Sequence, residues 1–162
     1  MQLFLMLRVC VLYMIKKVIN VVVLLAIAGG SSVCFSSDAL DAREKIFLNE
    51  AERHHVLSEM RLFLSSIQQI IQGVSEDDLK LVVEYAKKAG RAGSRGAPPT
   101  LGAKLPEGFR LLGSQTHAKF DRLAMDVADL EDGSHAISQL SSLMKNCIAC
   151  HATYRIELSG AR

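Results

Sequence analysis

The chain reads as all-α, with four amphipathic helices running antiparallel in an up-down-up-down bundle. Apolar residues recur three and four apart in four separate stretches, the spacing of one helix face. Two of the three connections are short, which makes neighbouring helices antiparallel, and only residues 92 to 106 form a long one. The part expected to fold, residues 37 to 162, is 126 residues long, enough for one domain with one core.

Taken in order, apolar residues at 56/57, 60, 63/64, 67, 70/71 and 74 give a first helix from about Ala39 to Gln72, ended by Gly73. Ser75-Glu76-Asp77-Asp78 places a hydroxyl cap and three acids at the start of the second helix. That helix runs through Leu79, Val82, Val83, Ala86 and Ala89 to about Gly90. Pro98, Pro99, Pro106 and several glycines break the chain over 92 to 106. Pro106 or Glu107 opens the third helix, with the stripe Phe109, Leu112, Thr116, Phe120, Leu123, Val127 and Leu130, and Asp132-Gly133-Ser134 turns the chain. The fourth stripe is Ile137, Leu140, Met144, Cys147, His151, Tyr154 and Leu158.

Residues 1 to 36 carry Arg8, Lys16 and Lys17, no acid, and the apolar run Val18 to Ala28, the outline of an export signal. The apolar stretch Leu3 to Met14 precedes the charged pair, so a compact signal begins at Met14. Cys34 and Ser36 occupy the minus three and minus one positions for cleavage after Ser36. A lipid anchor on Cys34 is disfavoured by the bulky Val33 before it. The alternative is that residues 18 to 37 stay as a membrane anchor, being nearly long enough to span. Removing the signal leaves 16 basic against 17 acidic residues and no basic stripe, which excludes a nucleic-acid footprint. The expected location is the periplasm.

Cys147-Ile148-Ala149-Cys150-His151 is a complete C-x-x-C-H motif. Two thiols at this spacing can each add to one vinyl group of a haem while the adjacent imidazole binds its iron. Four cysteines and five histidines in 162 residues would give roughly 0.003 such motifs by chance. A zinc site needs about four ligands, and the other thiols, Cys10 and Cys34, lie in the segment expected to be removed. A thioredoxin-type pair would follow a strand, but the flanks of Cys147 read as helix. One covalent haem c is therefore the expected cofactor. In the bundle it should lie at the C-terminal end of helix four, against Tyr85, Ala86, Ala89, Phe109 and Leu112, with the loop 92 to 106 over an edge.

A C-x-x-C-H at the end of the last of four helices, continuing Ala152-Thr153-Tyr154-Arg155, resembles the class II cytochromes c, the cytochrome c′ family and its low-spin relatives. The resemblance covers the architecture of residues 39 to 158 and the specific motif 147 to 155. It implies haem attachment outside the cytoplasm, and Arg155 near the haem propionates, whose alternative is a solvated cation at a helix C-terminus. It also implies pairing of two copies through helical faces, and an electron-transfer protein as partner.

The ligand opposite His151 separates an electron carrier from a gas-binding protein. At about 1.5 Å per residue, Leu57 and Met60 on helix one lie near the height of His151 on helix four, and only Met60 has a donor atom. The low-spin members that this chain resembles place a methionine there, whereas cytochrome c′ proper has an apolar residue and a five-coordinate iron. The plainer role for Met60 is core filling. His54 and His55 are further ligand candidates, His54 near the bundle end. His117 and His135 read as surface or hydrogen-bonded core residues. The leading expectation is a one-electron carrier with no catalysed reaction, and the rival is a protein binding NO or CO. A peroxidase would need a distal His with Arg, which the stripe lacks.

Overall fold

The computed structural model describes residues 41 to 160, so the export-signal and anchor readings lie outside the described residues. The described residues from Arg43 onward form one compact unit. The described chain is mostly helical. Its elements are β1 (Glu44–Leu48), α1 (Glu50–Ser75), α2 (Leu79–Ala89), a 3-10 turn (Arg91–Ser94), α3 (Leu101–Lys104), α4 (Glu107–Leu130), α5 (Gly133–Thr153) and β2 (Tyr154–Leu158).

Two short strands add to the expected helices. β1 and β2 pair in parallel, with Glu44 opposite Tyr154 and Leu48 opposite Leu158, and the Ser159 amide donates to the Leu48 carbonyl at 2.8 Å. Ile46 and Leu48 are buried while Phe47 between them is exposed, the period-two pattern of a strand with one covered face. The first helix therefore starts at Glu50 rather than Ala39, and the fourth stops at Thr153 rather than running through Leu158. Asn49 fixes the start of α1 with a reciprocal capping box. Its side chain accepts from the Glu52 amide, and the Glu52 carboxylate accepts from the Asn49 amide, each at 2.9 Å.

The α1–α2 turn differs in detail from the expectation. Gly73 lies inside α1, not at its end, and Asp78 rather than Ser75 caps α2, accepting from the Leu81 amide at 3.0 Å. Gly73 is needed because α2 comes close. A Cβ there would lie 2.8 Å from Val82 Cγ2 and 2.9 Å from the Asp78 carbonyl oxygen. Gly73→Ala should destabilise the protein by about 1–3 kcal/mol, overriding the helix-propensity gain of about 1 kcal/mol. A thermal melt checks this, and an unchanged or raised Tm would contradict the close approach.

The apolar residues fall into two clusters. The larger joins Ile70 of α1, Val82, Ala86 and Ala89 of α2, Phe120, Leu123 and Val127 of α4, and Ala136, Leu140 and Leu143 of α5. The smaller joins Ile46 and Leu48 of β1 with Val56 and Leu101, and Met60, Leu105, Phe109, Tyr154 and Ile156 pack against it. The core stripe of α5 is offset from the expected one: Ala136 and Leu143 are buried, while Ile137 and Met144 are exposed. The loop 92 to 106 carries the 3-10 turn and α3, whose Leu101 is buried in the smaller cluster. No helix among the described residues is long and apolar enough to cross a membrane.

Candidate functional site

A cavity of about 460 Å³ is walled by members of both apolar clusters, with Val56, Met60 and Phe109 from one and Phe63, Ile67 and Cys147 from the other. The space opens to solvent and its walls are mostly apolar, the form of a ligand-binding cleft. α5 contributes Met144, Asn146, Cys147, Cys150 and His151, and α1 contributes Leu57, Met60 and Leu64 among others. Cys147, Cys150, His151, Met60, Leu57 and Phe109, all singled out from sequence, thus line one cavity. Arg155 lines a smaller adjoining one, its guanidinium 3.3 Å from Glu157.

The rest of the expected lining is corrected. Ala86 and Ala89 are fully buried in the larger cluster, and Tyr85 packs against that cluster with Lys88 over its ring. Leu112 does reach the cavity, but among the described residues none of 92 to 106 does. That loop instead anchors α1. Thr100 Oγ1 donates to Glu52 at 2.6 Å and Lys104 Nζ to the other carboxylate oxygen at 2.8 Å. His54 is exposed beside Ser58, His55 lies 3.8 Å from Glu59, and neither lines the cavity.

His117 does line it, and sequence reasoning missed this because the expected α4 stripe ran through its neighbour Thr116. Its ring is buried. Nδ1 donates to the Ala89 carbonyl at 2.8 Å and to Gly90 at 3.1 Å, and Nε2 lies 3.6 Å from Glu59 Oε1. Burial works to lower its pKa, but the Glu59 carboxylate and the two carbonyls outweigh burial and raise it. A second polar strip joins α4 to α5. Lys119 Nζ donates to Asn146 Oδ1 at 3.0 Å, and Asn146 Nδ2 donates to Thr116 Oγ1 at 3.3 Å.

Comparison with protein-family models, with curated proteins and with solved structures finds no match.

Cys147 and Cys150 are free thiols, half-buried, one helical turn apart. Burial pushes both pKa values up, and for Cys150 the neighbouring Cys147 adds to the rise. Burial thus disfavours the thiolate at both positions. Among the described residues, no three His, Cys, Asp or Glu side chains converge as a group for a bare metal ion. Two sulfurs and an imidazole spread along one apolar wall fit a broad, flat, largely apolar ligand that carries its own metal, as a haem does. The cavity volume lies within the roughly 300–1,000 Å³ range of cofactor sites.

Proposed function

We propose that this chain is an exported c-type cytochrome carrying one haem on an antiparallel up-down-up-down helical bundle, and that it passes single electrons to and from a partner protein. The observation that carries this reading is the C-x-x-C-H set lining a single apolar cavity together with Met60. When bound, the haem supplies one-electron chemistry by cycling its iron between Fe(III) and Fe(II). Cys147 and Cys150 hold it by adding their S–H groups across two vinyl C=C bonds, sulfur and hydrogen both ending in the product, so that nothing is oxidised. His151 supplies the imidazole ligand from α5. Met60 supplies the thioether from α1, a soft donor that favours the reduced state. Val56, Leu57, Phe63, Ile67, Phe109 and Leu112 exclude water from the faces.

A second reading has its own observation. Met60 also packs against the cluster of Ile46, Leu48, Val56 and Leu101. If that packing holds its sulfur away, Leu57 and Met60 only crowd a vacant position, and the protein binds NO or CO instead. The spectrum of the purified protein in both oxidation states separates the two. A low-spin spectrum unaffected by CO supports the carrier; a high-spin ferrous form that takes up CO supports the gas-binding protein.

A further inference from the structure

Among the described residues, His117 is the one histidine besides His151 that lines the cavity, and it sits where three helices meet. Its ring comes from the middle of α4 and the residue is 8% exposed. On one side Nδ1 donates to the Ala89 and Gly90 carbonyls at the C-terminus of α2, where the helix dipole favours a cation. On the other side Nε2 faces the Glu59 carboxylate of α1 at 3.6 Å, and the ring meets Phe63 of α1 edge-on, 4.9 Å between centroids. A carbonyl only accepts, so Nδ1 carries a proton, and a second proton on Nε2 makes the contact with Glu59 an ion pair. Glu59 and Phe63 flank Met60 along the chain, and all three line the cavity. Phe63 also stacks on Phe120 of the core, 5.5 Å between centroids. The turn of α1 that carries Met60 is therefore tied to α4, and through His117 to the end of α2. His55, 3.8 Å from Glu59, lies on α1 itself and ties it to no other helix. A methionine side chain has three rotatable bonds, so a ligating thioether keeps its place only where the backbone behind it is held.

Resting on the haem and Met60 reading above, we infer that the His117–Glu59 pair is a strut that fixes the turn of α1 carrying Met60, and that this strut makes the protein selective for electron transfer over CO binding. Both are positioning residues, acting through Met60. Without the strut that turn is free to move from the cavity wall, the sulfur leaves its position part of the time, and CO gains in proportion to the fraction of time the position stands open.

The test is CO uptake by the purified, haem-loaded ferrous protein, read together with the Fe(III)–thioether band and the Tm. The variants are His117→Phe, Glu59→Leu, the two combined, Glu59→Gln and His55→Gln. His117→Phe and Glu59→Leu should each speed CO binding about tenfold or more and weaken the band, since each removes one charge-assisted contact. The combined variant should go no further than the stronger single one, because both changes break the same strut. Glu59→Gln keeps an oxygen that accepts from Nε2 and should recover most of the exclusion. His55→Gln removes only the contact along α1 and should behave as wild type. Glu59 is partly exposed, so its variants keep the test alive if a change at the buried His117 prevents folding. A lowered Tm with wild-type band and wild-type CO exclusion in both His117→Phe and Glu59→Leu would overturn the strut alone, leaving a packing contact. A His55→Gln effect as large as that of Glu59→Leu would overturn it too. Wild-type protein that carries haem and takes up CO freely would overturn the carrier reading and the strut with it, and a wild-type chain without bound haem would overturn the cytochrome reading itself.

Discussion

Met60→Ala should convert a low-spin iron that ignores CO into one that binds it, and should lower the midpoint potential. Leu57 and Met60 are the α1 residues that line both the cavity and the smaller adjoining one together with Cys150 and His151, and of the two only Met60 has a donor atom. Removing that sulfur leaves a methyl group and a vacant iron position. The charge-transfer band expected of an Fe(III)–thioether bond should vanish, and the potential should fall because the soft donor no longer favours Fe(II). If Met60 is only filler for the cluster around Ile46 and Leu48, the same substitution costs about 2–5 kcal/mol of stability and leaves the spectrum as it was. Spectra and a melt on one variant therefore separate the two roles.

The second large effect should come from Glu52, which touches no cofactor. Its side chain is completely buried, yet its carboxylate accepts from three partners: the Asn49 amide, which closes the capping box that starts α1, Thr100 and Lys104. Hydrogen bonds from Lys104, Thr100 and Asn49 lower its pKa from 4.5 to about 2. A carboxyl depressed in the folded state contributes its full stability above its unfolded pKa, and that contribution is lost as pH falls from about 4.5 through about 2. Glu52→Ala should lower the Tm at neutral pH by about 10 °C or more, and the deficit relative to wild type should shrink on acidification through this window. Glu52→Gln should be milder, since Gln at this position preserves the capping box. A Tm deficit independent of pH between neutrality and about pH 2 would show that packing, not the charge, is what Glu52 contributes. The consequence reaches the site, because the turns that Glu52 anchors carry Arg53, Leu57 and Met60.

The period of 3.6 residues made α2, α4 and most of α5 legible from sequence alone, because each is long enough to repeat its stripe several times. β1 and β2 were not legible for a specific reason. Tyr154 and Leu158 are four residues apart and continue the helical spacing from His151, yet Tyr154, Ile156 and Leu158 equally satisfy a period of two. What decides between the readings is pairing with Glu44–Leu48, about a hundred residues away, and local pattern carries no record of that. The same limit explains the site. The thiols and His151 share one helix and announce themselves by spacing, and Met60 followed from counting along two helices. Arg43 and Arg53 line the smaller adjoining cavity, and the β1–β2 pairing brings the start of the domain, with Arg43, to the end of α5. His117 is legible only once the α2–α4 packing turns its ring toward Ala89 and Glu59.

Covalent attachment of one haem through Cys147 and Cys150 is read from the intact mass of the purified protein. That mass should equal the polypeptide plus one haem, with the colour staying on the protein through acidified acetone and lost to the solvent in the double variant Cys147→Ser, Cys150→Ser. A wild-type mass equal to the bare polypeptide, or a pigment that acidified acetone removes completely, would contradict it.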